Sequence, residues 1–461
     1  MQYDLVIKNG TVVTPETTFF ADVAIAGEQI AAVGANLSGI REIDAAGRYV
    51  LPGAVDMHVH LQMPIGRFVS SDDFFSGTRA AALGGTTAVV DFVEPHGQES
   101  MIDALAARRA RADDHVAIDY GLHMTIGPAE IAKLDQVPEA YEAGCGSFKL
   151  YMAYGLRLND GELLQALEAV AGADGLAVVH AEDWDIICTL VARNLAAGNV
   201  LPHWHPRSRP APFEGEAVAR VVELADFTGA NVHVFHVTCE AAVRAITAGR
   251  RRGLPLTGET CPQYLLLTQE AYDAPGVAGA LPVCAPPIRE KAEQDALWRA
   301  LSRGELQVVS TDHCPFTIAE KATGLDNFSA IPGGVPSIES RLAAVYAFGV
   351  GRGLLTLNQW VSACCTAPAQ IAGFRRKGKI LPGYDADLVI FDPERELTLS
   401  VDTLHEKVDW TPYEGLRVRG WTDTTISRGQ VIVAAEEFLG KAGYGRFVPR
   451  SGPIRKDNPF Q

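Results

Sequence analysis

The sequence predicts an α/β protein: a parallel (β/α)8 barrel of the TIM type, with a smaller β-sandwich domain built from both chain ends. Three observations carry this. Across 51–375, short apolar runs alternate eight times with longer stretches rich in Ala, Leu, Glu and Arg, as strands and helices do when they take turns along a chain. The flanking segments, 1–50 and 376–440, are instead short strand-like runs separated by turns. Residues able to bind metals or move protons gather at the ends of the apolar runs, where such a barrel places its chemistry.

Taken in order, the first segment holds strand-like runs at 3–8, 21–25 and 29–33, each followed by Gly or Asn-Gly. The same texture returns at 385–392 and 425–433. Neither end has enough strands for a core of its own, so the two are expected to form one domain enclosing the middle in sequence. The eight barrel runs are 54–60, 86–93, 116–124, 147–152, 176–182, 231–238, 254–260 and 306–312. An open doubly wound sheet is the competing fold, but no Gly-rich phosphate loop follows the first run. The tail is taken as 441–461; its part after Arg450, with Pro453, Pro459 and few apolar residues, is too polar to pack alone and is expected to lie on a neighbouring subunit.

With 40 Lys and Arg against 56 Asp and Glu, the 461-residue chain has a formal charge of −16. Nucleic acid and anionic membranes would be repelled by such a surface. Eight cysteines are scattered without CxxC spacing, as suits thiols in a reducing compartment. No basic segment precedes an apolar run at the N-terminus and no uninterrupted stretch is long enough to span a bilayer, so a cytoplasmic protein is expected.

The candidate ligands follow from strand geometry. His58 and His60, two apart after an apolar run, point to one side of an extended chain. Alone the pair carries little weight, because HxH is common by chance. Lys149 in the fourth run, His180 ending the fifth, His236 in the sixth and Asp312 ending the eighth bring six groups to one rim. An ammonium cannot ligate a metal, whereas a neutral lysine amine that captures carbon dioxide becomes an anionic carbamate able to bridge two divalent ions. Phe148 and Leu150 flank Lys149, and a bare charge buried there is costly. His313 and Cys314 are expected to face away from Asp312, and His233 away from His236. The histidines at 96, 115, 123, 203, 205 and 405 read as packing or surface residues.

DMHVH at 56–60, SFKLYMAY at 147–154, VHAE at 179–182, FHVT at 235–238, TCPQYLLL at 260–267, APPIR at 285–289 and STDHCPF at 310–316 together resemble the cyclic amidohydrolases, specifically the hydantoinase and dihydropyrimidinase group. The resemblance continues in GYDADLVIFDPE at 383–394 and GYGRFVPR at 443–450. It implies an amidohydrolase-type barrel with two divalent ions, commonly zinc with manganese as an alternative, bridged by carbamylated Lys149. His58, His60 and Asp312 would complete one ion's shell, His180 and His236 the other's. A hydroxide bridging the ions would attack a ring amide of a 5-substituted hydantoin or dihydropyrimidine, giving an N-carbamoyl amino acid. Asp312 would carry the proton to the departing nitrogen, and Tyr154 would hydrogen-bond the developing oxyanion.

On substrate choice, Gln62 stands where related dihydroorotases carry an arginine, and KLYxxY with LND at 149–160 resembles the phenylhydantoinase branch. Leu61, Met63, Ile65, Phe68, Tyr151 and Leu156 would form an apolar gate around a ring substituent. Ala285 and Gly333 occupy the positions of the usual Ser and Asn whose main chain grips the ring imide. The double glycine Gly333-Gly334 is also similar to that of allantoinases, the nearest enzymatic alternative. A catalytically silent scaffold is the non-enzyme alternative. Homotetramers or homodimers are implied as the assembly.

Overall fold

The computed structural model describes residues 2–453. Eight parallel strands, Ala54–Asp56, Thr86–Val93, Asp119–Ile126, Ser147–Tyr151, Leu176–His180, Asn231–Val234, Leu256–Thr260 and Val308–Val309, are hydrogen-bonded neighbours in that order. The ring closes past the ends of the first and eighth strands, where Val59 bridges His313 and the His60 amide donates to the His313 carbonyl at 2.9 Å. Buried Asp56 reinforces this seam by accepting from the Thr311 amide (3.1 Å) and hydroxyl (2.7 Å). The barrel is therefore the one the alternating runs predict.

Several runs are shorter as strands than as apolar sequence, the first and eighth among them. Residues 57–60 and 310–312 leave regular pairing, because they turn into the rim and direct His58, His60 and Asp312 toward one another. Inside the barrel, Val55, Ala88, Val90, Phe92, Leu176, Val178, Phe235 and Val308 form one buried cluster. The opposite faces of these strands, such as Val89 and Val93, pack under helices Phe74–Leu83 and Met101–Ala112. Alternation along Thr86–Val93 thus separates core-facing from helix-facing residues.

Both chain ends enter one nine-stranded sheet, with Tyr49–Pro52 antiparallel to Leu388–Thr398. The sheet branches at Tyr3–Val13, which pairs with Thr18–Ala26, Gly39–Asp44 and Tyr49–Pro52. It encloses a separate core that includes Leu5, Ile7, Val23, Ile25, Leu388 and Ile390. Lys377 fastens sheet to barrel, its buried ammonium lying 2.8 Å from Asp119, 3.3 Å from Asp385 and 2.6 Å from Asp387. That ammonium fills the space between three aspartates close enough to hold a metal.

The segment before residue 454 sits on its own barrel. Gly445 donates to Val116, Tyr120 to Arg446, Val448 to Tyr120 and Arg450 to Gly144, all within 2.8–3.1 Å. Phe447 and Arg450 anchor this segment, with a ring against Tyr120 and a buried guanidinium donating to the Leu122 and Ala372 carbonyls. The expected contact of this tail with a neighbouring subunit falls, for 454–461, outside the described residues. Among the described residues, no helix is long and apolar enough to cross a membrane, and all eight cysteines are unpaired.

Candidate metal centre and active site

The rim gathers the six groups into two sets. His58 Nε2 and His60 Nε2 each lie 3.1 Å from Asp312 Oδ1, and the ligand atoms of these three residues fall within 4.8 Å of one another. Asp312 is held well below the usual carboxylate range: burial pushes it up, but His58 and His60 beside it outweigh that cost. Across the rim, His180 Nδ1 faces His236 Nε2 at 2.8 Å. Burial lowers the protonation of both residues, so two neutral imidazoles share one hydrogen bond here, and a metal ion could take the place of its proton.

Each set is aimed by a buried carboxylate. Glu259, at the end of the seventh strand, lies 2.6 Å from His58 Nδ1 and 3.3 Å from His233 Nε2, and accepts from the His236 amide at 3.4 Å. Burial would raise it, but His58 and His233 prevail and hold it down at about 2. Burial opposes protonation of His58, but Asp312 and Glu259 together favour the protonated ring; a metal ion could replace the proton on Nε2, while an ionised Glu259 fixes the one on Nδ1. Glu182 does the same for His180, 2.9 Å from its Nε2, and is itself held by Arg209 at 2.5 Å. Glu259→Gln should weaken zinc affinity roughly 10–100-fold, read by competition against a chromogenic chelator; unchanged affinity would show that Glu259 does not aim His58.

Lys149 stands between the sets. Its ammonium lies over the rings of Phe235 (4.2 Å), Tyr151 (4.6 Å) and Phe92 (5.6 Å). Burial lowers it to about 7 against the pull of Asp312, Glu259 and Glu94. Among the described residues no carboxylate pairs with it, so the amine is readily neutral at physiological pH.

Backbone strain coincides with these positions. Tyr154 (φ 68°), His236 (φ 38°), Asp312 (φ 52°) and Gln62 (φ 49°) are all left-handed, a conformation costing about 1–3 kcal/mol at non-glycine residues. Surrounding packing must hold them there. Tyr154 lies on the loop after the fourth strand, its ring centroid 5.4 Å from His180 and 5.0 Å from Trp184. Burial raises its phenol although Arg209 opposes this, so it stays a protonated donor.

The other substrate-facing candidates divide. Ala285 and Gly333 come together, with the Gly333 Cβ direction 3.9 Å from Cys284 Cα and 4.0 Å from Ala285 N, so a side chain there has room. Gly334 is the constrained member of the pair: at φ 148° its missing Cβ would collide with the Cys314 carbonyl. Ile65 and Phe68 face each other in a small hairpin and are half-buried, as are Tyr151 and Leu156. Met63 is buried against the barrel-interior cluster. Leu61 departs from its expected place in the gate. It is fully buried in the outer core, against Gly77 of helix Phe74–Leu83, and offers nothing to a substituent.

His313 turns away from the site as expected, its Nε2 2.9 Å from Asp72. His233 and His123 are buried packing residues with partners in Thr257 and Ser147. The residues that sequence reasoning missed are Glu259, Glu182, Arg209 and Glu94. Glu259 and Glu182 had a signal, each being a carboxylate at the end of an apolar run. Arg209 lies on an irregular stretch far from any motif and had none.

An eight-stranded α/β barrel with nitrogen and carboxylate donors gathered at one rim defines a hydrolase with a site suited to a divalent metal ion. The chain belongs to the amidohydrolase family, whose pattern matches residues 49–432. It is 42% identical over 452 residues to the D-hydantoinase of Geobacillus stearothermophilus, covering 96% of each chain. It is 38% identical over 454 residues to the D-phenylhydantoinase of Escherichia coli strain K12, covering 97% of this chain and 98% of that one. The crystal structure of dihydropyrimidinase from Brevibacillus agri NCHU1002 superposes with a TM-score of 0.96 at 42% identity, covering 98% of this chain and 99% of that one.

Proposed function

We propose that the protein hydrolyses the ring amide of 5-substituted hydantoins or dihydropyrimidines to N-carbamoyl amino acids, using two divalent ions. The observation that carries this reading is the placement of buried Lys149, readily neutral, among one set of donors from His58, His60 and Asp312 and another from His180 and His236. Zinc suits these nitrogen and oxygen donors, and manganese is the alternative. Carbamylated Lys149 would hold both ions. Supporting this, Thr125 aligns with Lys149 on the adjacent strand, and its hydroxyl is buried without a partner among the described residues; an anionic oxygen on Lys149 would give it an acceptor.

The ions, when bound, would supply a water acidic enough to ionise near neutral pH and a Lewis acid for the ring carbonyl. With Oδ1 on the side of His58 and His60, in the set that would hold an ion, Asp312 would keep Oδ2 to take the proton of the attacking water and pass it to the ring nitrogen as the C–N bond breaks. Tyr154 donates to the carbonyl oxygen as charge builds on it. The main chain at Ala285 and Gly333 would hold the imide, with no side chain beyond a methyl to contribute. A homotetramer or homodimer belongs to the same reading.

An allantoinase is the second enzymatic reading, raised by Gly333-Gly334. The named relatives, and the steric need for glycine at 334 alone, weigh against it. Zinc-loaded protein should turn over phenylhydantoin or dihydrouracil with at least tenfold higher kcat/KM than allantoin. A clear allantoin preference in that side-by-side assay would overturn the substrate assignment, and no turnover of any of the three would return the chain to a silent scaffold.

A further inference from the structure

Glu94 directly follows the second barrel strand, Thr86–Val93. Strand alternation places it on the face of Ala88, Val90 and Phe92, which is the barrel interior. Phe92, one layer below, stacks on His60 at a centroid distance of 4.6 Å and lies 5.6 Å from the Lys149 ammonium. Glu94 therefore stands above the site floor at the rim. Pro95 stiffens the chain after it, and Lys133 holds the rest of its loop through the Gly97 and Glu99 carbonyls at 3.1 and 2.8 Å.

The carboxyl has no hydrogen bond or ion pair among the described residues. Arg108 attracts it only through space, being committed to Asp91 at 2.5 Å and to the carbonyl of Leu61. Burial dominates and raises Glu94 to about 7. Its charge is felt by Tyr151, where it is the strongest influence after burial, and by Cys314. An acid without a hydrogen-bonding partner among the described residues thus stands at the same rim as half-buried Tyr151, on the inward face of its own strand and near enough for its charge to act on that ring. This is the region assigned to the ring substituent.

We infer that Glu94 is a specificity residue, selecting cyclic amides whose ring substituent ends in a cation. This rests on the cyclic-amide reading above and extends it to a substrate class. An ammonium on a flexible substituent would give the carboxylate the partner that this chain withholds, in a partly desolvated setting where charge-assisted hydrogen bonds are strong. The chain's excess of acidic residues would draw the same substrates inward. An apolar substituent of the same length would leave the carboxyl desolvated and unpaired, so discrimination arises from both sides.

The test compares a hydantoin carrying an aminobutyl substituent with its pentyl isostere, on enzyme reconstituted with zinc and bicarbonate. The wild type should favour the amine in kcat/KM by about tenfold or more, mostly through KM. Glu94→Gln should erase that preference, and Glu94→Leu should invert it toward the pentyl compound. Equal kcat/KM in the wild type, a preference that survives both substitutions, or equal loss of both substrates in both variants would overturn this assignment while leaving hydantoin turnover intact in the wild type. Absence of wild-type turnover for either compound would overturn the cyclic-amide reading itself, and this assignment with it.

Discussion

Lys149→Ala will lower hydrolysis of the ring amide by roughly three orders of magnitude or more, since the ions this lysine is proposed to hold supply several kcal/mol at the transition state. Short carboxylic acids should restore part of the loss. Removing the side chain leaves a gap walled by Phe92, Tyr151 and Phe235, and acetate or propionate entering it would present the anionic oxygens that a carbamate would have offered. The variant should hold less than one zinc per chain after gel filtration, and its rate should saturate with added acid. Full activity without added acid would exclude the bridge, and zinc binding equal to the wild type would show that Lys149 is no part of the centre.

Asp312→Asn should reduce kcat by about 10²–10⁴, the range for losing a general acid–base group. The amide keeps the size of the carboxylate and an oxygen for His58 and His60, which lie 3.1 Å from Asp312 Oδ1, but it cannot carry a proton between water and leaving nitrogen. The fall should therefore appear in kcat more than in KM. Zinc content measured alongside separates this from simple loss of metal. A kcat within tenfold of the wild type, with both ions retained, would assign the proton transfer to another group.

Much of this was readable from residue order alone. Eight apolar runs spaced by helical stretches, with no Gly-rich phosphate loop after the first, favour a closed parallel sheet over an open one, and the candidate ligands could be found because strands end where chemistry sits. Roles that depend on approach across the barrel were harder. Glu259 aims His58 from a strand 201 positions away, a pairing that no local pattern encodes. Leu61 follows the HxH motif and looked like a gate residue, yet helix Phe74–Leu83 leaves space at Gly77 and the leucine fills it. Residues 443–450 stood out only as a motif, and their packing on the barrel through backbone hydrogen bonds and one buried arginine does not register as hydrophobicity.

The seam between the first and last barrel strands has a consequence for how the protein matures. His60 and Asp312 meet across it from positions 252 apart in sequence, and Asp56 and Thr311 tie the same junction. During synthesis the two histidines emerge early and wait for more than half the chain before their carboxylate partner exists. The first ligand set is thus assembled by barrel closure itself, a long-range and correspondingly slow event. Metal capture at this set would in effect be a checkpoint on finished folding: a chain that stalls short of its eighth strand has the motif but not the three donors together.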